Sequence, residues 1–200
     1  MELAALAERI AQAPAQGKRR LVAVAGPPGS GKSTLAHKLG ALVPDSRVVP
    51  MDGFHLDNRL LDEDGRLARK GSPETFDAAG FAHLIHRLGR EDRVVYPVFD
   101  RALDKSIAGA ERVTEETRTV IVEGNYLLLD TPDWEGLRSL WDLTVFLDEP
   151  EEVLRARLLQ RWRDHGFSEE AALAKAEGND LPNARAIRAR SYPADVVVRG

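Results

Sequence analysis

The sequence predicts a three-layer α/β/α fold on a parallel core sheet of five strands. Three observations predict it. Short apolar, β-branched runs alternate with helical stretches along the chain, which favours a parallel sheet covered on both faces. The first such run exits through a segment rich in Gly and Pro, and a helical pattern follows at once. The chain has 200 residues, 43% of them hydrophobic, with no internal repeat, low-complexity tract or dividing linker, which suits one domain with a full core.

Taken in order, residues 2–13 read as an amphipathic helix, because Leu3, Leu6, Ala7 and Ile10 recur at helical spacing. Pro14 and Gly17 end it, and Leu21–Ala25 follows as a buried strand. Ser33–Leu42 is helical, Pro44 closes it, and Arg47–Met51 is the second strand. Residues 52–75 are rich in Asp, Gly, Arg and Lys and read as a long surface loop with one helical turn around 56–61. Loops of that length inside compact domains are usually functional. Asp77–Leu88 is a helix with Phe81, Leu84, Ile85 and Leu88 on one face. Val94–Phe99 and Glu111–Thr114 are extended and suit an antiparallel arm outside the main sheet. Thr119–Val122, Leu143–Leu147 and Ala194–Val198 complete the strands. Trp134–Leu140, Glu151–His165, Glu169–Ala176 and Ala184–Arg190 complete the helices, with a shaped turn at Asn179–Asn183.

Composition excludes several classes of function. There are 28 Lys and Arg against 32 Asp and Glu, which argues against a nucleic-acid protein. With no cysteine there are no disulfides, thiolate metal sites or Cys nucleophiles. The first 13 residues lack the basic start and long apolar run of a signal peptide, and no stretch is long enough to insert in a membrane, so the expected location is cytoplasmic. The first helix can pack on its own domain or on a second copy, which leaves a homodimer open.

The strongest signal is Gly26-Pro27-Pro28-Gly29-Ser30-Gly31-Lys32-Ser33, which matches G-x-x-x-x-G-K-[ST] between a strand and a helix. Its glycines permit backbone conformations that turn N–H groups inward, and those groups with the helix N-terminus form a nest for phosphates. Lys32 would reach the β- and γ-phosphates, Ser33 would ligate magnesium, and Thr34 completes the nucleotide-binding run. The chain carries no N/T-K-x-D guanine-reading motif, which favours ATP. Two carboxylates end strands. Asp52 follows the second strand at the edge where parallel sheets bind ligands, suited to accept a hydroxyl proton or to reach the metal, or simply to cap a turn. Glu123 ends Thr119-Val120-Ile121-Val122-Glu123, the form of a Walker B segment, whose acid would hold magnesium directly or through water.

These motifs together resemble the phosphoribulokinase/uridine kinase/bacterial pantothenate kinase superfamily. The phosphate loop, Asp52-Gly53-Phe54, Lys70–Asp77, Tyr96–Asp100, Val122-Glu123-Gly124 and Tyr192–Val198 fall in that family's order and approximate spacing, over about residues 18–200. The subgroup most similar is that of kinase-like proteins described with bacterial fructose transport systems. The resemblance implies a P-loop NTPase fold with an antiparallel substrate arm and a helical lid. It divides the chain into a nucleotide-binding start at 18–52, an acceptor loop and arm at 53–115, core strands at 119–148, lid and helices at 150–190 and a last strand at 194–198. It implies ATP and Mg2+ as cofactors, Asp52 as catalytic base and metal-linked acid, Glu123 as metal-associated acid, and Asp77 as a binder of substrate hydroxyls. It places Lys70, Tyr96, Phe99 and Asp100 around the acceptor. Asp77 also suits an N-cap, Tyr96 and Phe99 suit core packing, and Lys70 suits a solvated loop.

Arg155, Arg157, Arg161 and Arg163 lie on the helix that the resemblance makes a lid over the phosphates, where guanidinium groups would offset charge on the transferred group. Arg155 can instead pair with Glu151 four residues earlier. Arg161 and Arg163 are the leading candidates. Asn183 suits either the adenine or an N-cap, and His55 reads as a loop residue. The function expected is transfer of the ATP γ-phosphate to a hydroxyl of a small metabolite such as a sugar, nucleoside or pantothenate-like alcohol. The alternative is a regulatory or transport-associated P-loop ATPase without a small acceptor.

Overall fold

The run Leu21-Val22-Ala23-Val24-Ala25 is buried at every position, which only a strand covered on both faces allows. In the computed structural model, which describes residues 2–200, this strand is β1 (Arg20–Ala25). It lies at the centre of a parallel sheet ordered β2-β5-β1-β6-β7, with β2 at Ser46–Pro50, β5 at Thr119–Gly124, β6 at Leu143–Asp148 and β7 at Val196–Arg199. Val24 pairs with Glu123 and Pro50 pairs with Glu123 from the other side, so the ends of β1, β2 and β5 reach one edge together.

Alternate β1 residues feed two separate cores. Leu21, Ala23 and Ala25 join Val120 and Val122 of β5 under α4 (Ala78–Leu88), with Tyr126, Trp134 and Ile187. Val22 and Val24 face α1 (Leu3–Gln12) and α2 (Lys32–Leu42), where Leu6, Ile10, Ala36 and Leu39 are buried. This is the three-layer α/β/α arrangement expected. The antiparallel arm is present as β3 (Val94–Asp100) and β4 (Lys105–Val113). The third helical group, α5 (Glu151–Asp164), α6 (Glu169–Lys175) and α7 (Leu181–Arg190), closes on its own cluster of Leu154, Leu158, Leu159, Ala172 and Leu181. α1 packs against its own chain.

The structure corrects four local expectations. The second arm strand runs from Lys105, not Glu111: its residues are mostly exposed, and pairing with β3 rather than a buried face makes it a strand. Residues 135–140 form a 3-10 segment, not an α-helix. Loop 52–75 holds α3 (Asn58–Glu63) and three 3-10 turns, at Met51–Phe54, Leu67–Arg69 and Pro73–Thr75. The turn expected at 179–183 is instead continuous helix, because a π turn at Ala176–Asp180 feeds α7 directly. Pro182 lacks an N–H, and the widened turn before it lets the chain keep winding.

Arg19 fastens three of these parts. It is 2% exposed, and its guanidinium donates to the carbonyls of Leu88, Glu91, Asp92, Thr114 and Thr117. Those carbonyls belong to the end of α4, the entry to β3 and the link from β4 to β5. Burial lowers its pKa, with Asp92 opposing. Arg19→Met strands the carbonyls and is expected to cost on the order of 3 kcal/mol. Urea unfolding checks this, as a lowered midpoint at unchanged slope.

Candidate active site

The phosphate loop has the backbone that its glycines permit. Gly29 and Gly31 have φ of +80° and +89°, conformations that side chains resist. α2 begins at Lys32 with no side-chain cap, so the N–H groups of its first turn stay directed toward a ligand. The buried Ser30 hydroxyl has no hydrogen-bond partner within the protein. Positive-φ glycines, an uncapped helix start and an unpartnered hydroxyl fit a polyphosphate.

At the carboxyl edge of the sheet, Glu123 is 8% exposed and accepts a 3.0 Å hydrogen bond from the Ser33 hydroxyl. Burial raises its pKa, while Lys32 pulls it back down. Burial lowers the Lys32 pKa, while Glu123 and then Asp52 raise it. Each charge therefore depends on the other to remain ionised in a partly dry crevice. Among the described residues no group of three or more His, Asp or Glu side chains could hold a metal alone. A magnesium ion takes one or two carboxylates and completes its shell with phosphate and water. Ser33, Glu123 and Asp52 are the groups that could hold it.

Asp52 sits on the 3-10 turn after β2, and its carboxylate accepts a 2.9 Å ion-pair hydrogen bond from Arg101 on the arm. Sequence reading missed Arg101; its only signal was its place directly after Tyr96–Asp100. The charges of Arg161 in α5 and Arg101 in the arm both act to lower the Lys32 pKa, behind the larger effects of burial, Glu123 and Asp52. Gly53 meets the arm backbone: a Cβ there would lie 2.2 Å from the Pro97 carbonyl oxygen.

The two loop motifs singled out in the sequence lie side by side. His55 bridges Phe76 in antiparallel pairing, and the Asp77 N–H donates to the Phe54 carbonyl. The His55 ring stacks on Phe76 at 4.0 Å and lies 4.8 Å from Phe99. Lys70 donates to Asn58, pairs with Asp104 and lies 5.0 Å from the Phe99 ring centre. Phe99, Lys70 and His55 thus form one wall near Asp52. Asp77 caps α4 through the Gly80 N–H. Asp100 accepts from the N–H groups of Ala102 and Leu103, shaping the arm's turn. Tyr96 is buried, donates to Glu111 at 2.7 Å and accepts from Arg47, tying the arm to the β2 edge.

The lid arginines separate by partner. Arg157 donates to the carbonyls of Gly29 and Ser30 and pairs with the buried Glu149 at 3.0 Å, bracing the phosphate loop from outside. Arg163 pairs with Glu169. Arg155 reaches Glu177, not Glu151, because Arg185 of α7 takes Glu151. Arg161 makes no salt bridge among the described residues. Asn183 is buried within α7 and donates to Asn179, which in turn donates to the Lys70 carbonyl. It lies inside the helix rather than at its cap.

The family model for phosphoribulokinase and uridine kinase matches residues 21–199. The chain belongs to that family. The crystal structure described as a "putative fructose transport system kinase" from Silicibacter sp. TM1040 is 53% identical, covers 99% of each chain and superposes with a TM-score of 0.95. YggC of Escherichia coli strain K12 is 35% identical over 187 residues, covering 90% of this chain and 78% of its own. A "putative uridine kinase", C227.14 of Schizosaccharomyces pombe, is 33% identical, covering 91% and 83%. The chain is thus a P-loop protein of a small-molecule kinase family. No helix among the described residues is long and apolar enough to cross a membrane.

Burial lowers the His55 pKa from 6.5 to about 4. Between those values the unfolded chain takes up a proton that the folded chain refuses, so stability falls as pH drops through this window. His55→Asn removes that proton uptake. The decline in urea midpoint between neutral and acid pH is expected to be shallower in the variant than in the wild type.

Proposed function

We propose that the chain transfers the γ-phosphate of ATP to a hydroxyl of a small metabolite. The observation that carries this is the convergence of Asp52, Glu123 and Lys32 at one sheet edge, faced by Arg101 of the arm and Arg161 of the lid. A hydrolytic switch needs the loop and the Walker B acid; the arm wall of Phe99, His55 and Lys70 beside Asp52, which pairs with Arg101 of the same arm, suits a second substrate.

Lys32 and the loop N–H groups hold the triphosphate. Ser33, Glu123 and Asp52 would hold magnesium, which when bound would offset charge on the phosphate oxygens. Asp52 orients the acceptor hydroxyl and takes its proton as the new P–O bond forms; the leaving ADP carries the electron pair. Arg161, which makes no salt bridge among the described residues, stabilises charge on the transferred group. Arg163 would have to leave Glu169 to assist. The Phe99, His55 and Lys70 wall, with Asp100 shaping its turn, encloses a sugar, nucleoside or pantothenate-like alcohol. Tyr96 and Asp77 fix that wall rather than touch the acceptor. A net charge of −4 and, among the described residues, no helix long and apolar enough to cross a membrane suit work in the cytoplasm without nucleic acid or membrane insertion.

Asp52→Asn is expected to lower transfer by roughly a thousandfold while ATP binding stays within a few fold of wild type. A metabolite panel scored by acceptor-stimulated ADP release identifies the working acceptor first. Near-normal transfer by Asp52→Asn would remove the base from the scheme. ADP release that no metabolite stimulates would favour the ATPase.

Glu123→Gln keeps the Ser33 contact but loses the charge. It is expected to raise the magnesium concentration for half-maximal rate by about tenfold or more, with the loop lysine's pKa falling further. A magnesium titration of the initial rate checks this.

A further inference from the structure

A cavity of about 560 Å³ adjoins the phosphate loop on the side away from Asp52. Ser30, Gly31 and Thr34 of the loop form its floor, and Leu35 and Lys38 of α2 continue it. Leu3 and Leu6 of α1 and Val198 of β7 supply apolar walls. The volume lies in the range of ordinary ligand pockets. Its two charged neighbours at the loop, Glu149 and Arg157, neutralise one another.

The charged groups cluster at the carboxyl edge of the sheet: Glu123 accepts from Ser33 at the start of α2, and Asp52, paired with Arg101, lies on the turn that follows the neighbouring strand β2. A triphosphate placed on the loop points its reacting end toward that cluster. Its nucleoside end must then leave past Thr34, where the cavity opens. A flat, weakly polar base loses little by entering apolar walls and gains dispersion contact there.

α1 lies outside the family match, which begins at residue 21. It is nonetheless rigidly placed. Leu6, Ala7 and Ile10 are buried, Arg9 donates to the Asp195 carbonyl, and Arg20 donates to the Ala13 carbonyl. Leu3, only partly buried, is the residue of this helix left to face a ligand.

We infer that α1 forms one wall of the nucleobase slot, with Leu3 as the contact residue, so that a helix outside the family core sets affinity for the base. This rests on the nucleotide reading above.

Photolabelling of the full chain with 8-azido-ATP and 2-azido-ATP tests it. Label that ATP displaces is expected on the tryptic peptide ending at Arg9. Displaceable label found only on other peptides would overturn the slot while leaving the nucleotide site intact. Labelling that ATP does not displace and Lys32→Ala does not change would overturn the nucleotide reading itself. Calorimetry gives a second arm. Leu3→Ala is expected to weaken ATP by about fivefold and tripolyphosphate by less than about twofold, since only ATP carries a base. Equal weakening of both, or of neither, overturns the assignment of Leu3. Matching thermal midpoints of variant and wild type show that the fold is kept.

Discussion

A carboxylate buried at the end of a central strand is the constraint on which the site depends. Glu123 is 8% exposed and cannot stay charged there alone. Lys32 supplies the opposing charge and Ser33 the hydrogen bond, and both come from the start of α2. The parallel sheet makes this meeting unavoidable: β1 and β5 run side by side in register, so the loop leaving one opens beside the acid ending the other. β2 on the far side of β5 then delivers Asp52 to the same edge. Arm and lid add their arginines to a pair already set by the sheet.

The remaining ion pairs do a different job. Arg157 and Glu149 sit outside the phosphate loop and hold its carbonyls, so the N–H groups keep facing inward. Arg185–Glu151, Arg155–Glu177 and Arg163–Glu169 join the segments of the third helical group, α5 to α7, across exposed surface. Exposed pairs of that kind contribute little stability each, so their role is to fix helix register around the Leu154–Leu158–Leu181 cluster. Arg161 stands apart in making no salt bridge among the described residues; its guanidinium lies near the Trp162 ring instead.

Much of the core was legible in the sequence because its signals are local. Residues 21–25 and 120–122 are apolar throughout, and the phosphate loop is a contiguous pattern with a known backbone requirement. What escaped depended on distant partners. The first half of β4 is exposed and carries no apolar alternation, so only its pairing with β3 reveals it. The Asp52–Arg101 contact joins residues 49 positions apart, and no spacing rule encodes it. Arg155 had a good local partner in Glu151, yet α7 approached and a tertiary contact displaced the local one. His55 read as a loop residue because its burial comes from Phe76 and Phe99, brought in by two other segments.

The close approach of Gly53 to the Pro97 carbonyl has a consequence for how such a protein can diversify. At that point the turn bearing Asp52 and the root of the arm touch backbone to backbone, with no space for even a methyl group. Most of the arm beyond it, from Arg101 to Gly109, is exposed, and it meets the turn and its neighbours through side chains, Arg101 to Asp52, Asp104 to Lys70 and Ser106 to the His55 carbonyl. Residues of the tip outside those contacts can therefore change without disturbing the turn, while the root cannot. The tip can drift in sequence while the backbone that carries Asp52 stays pinned at a single glycine.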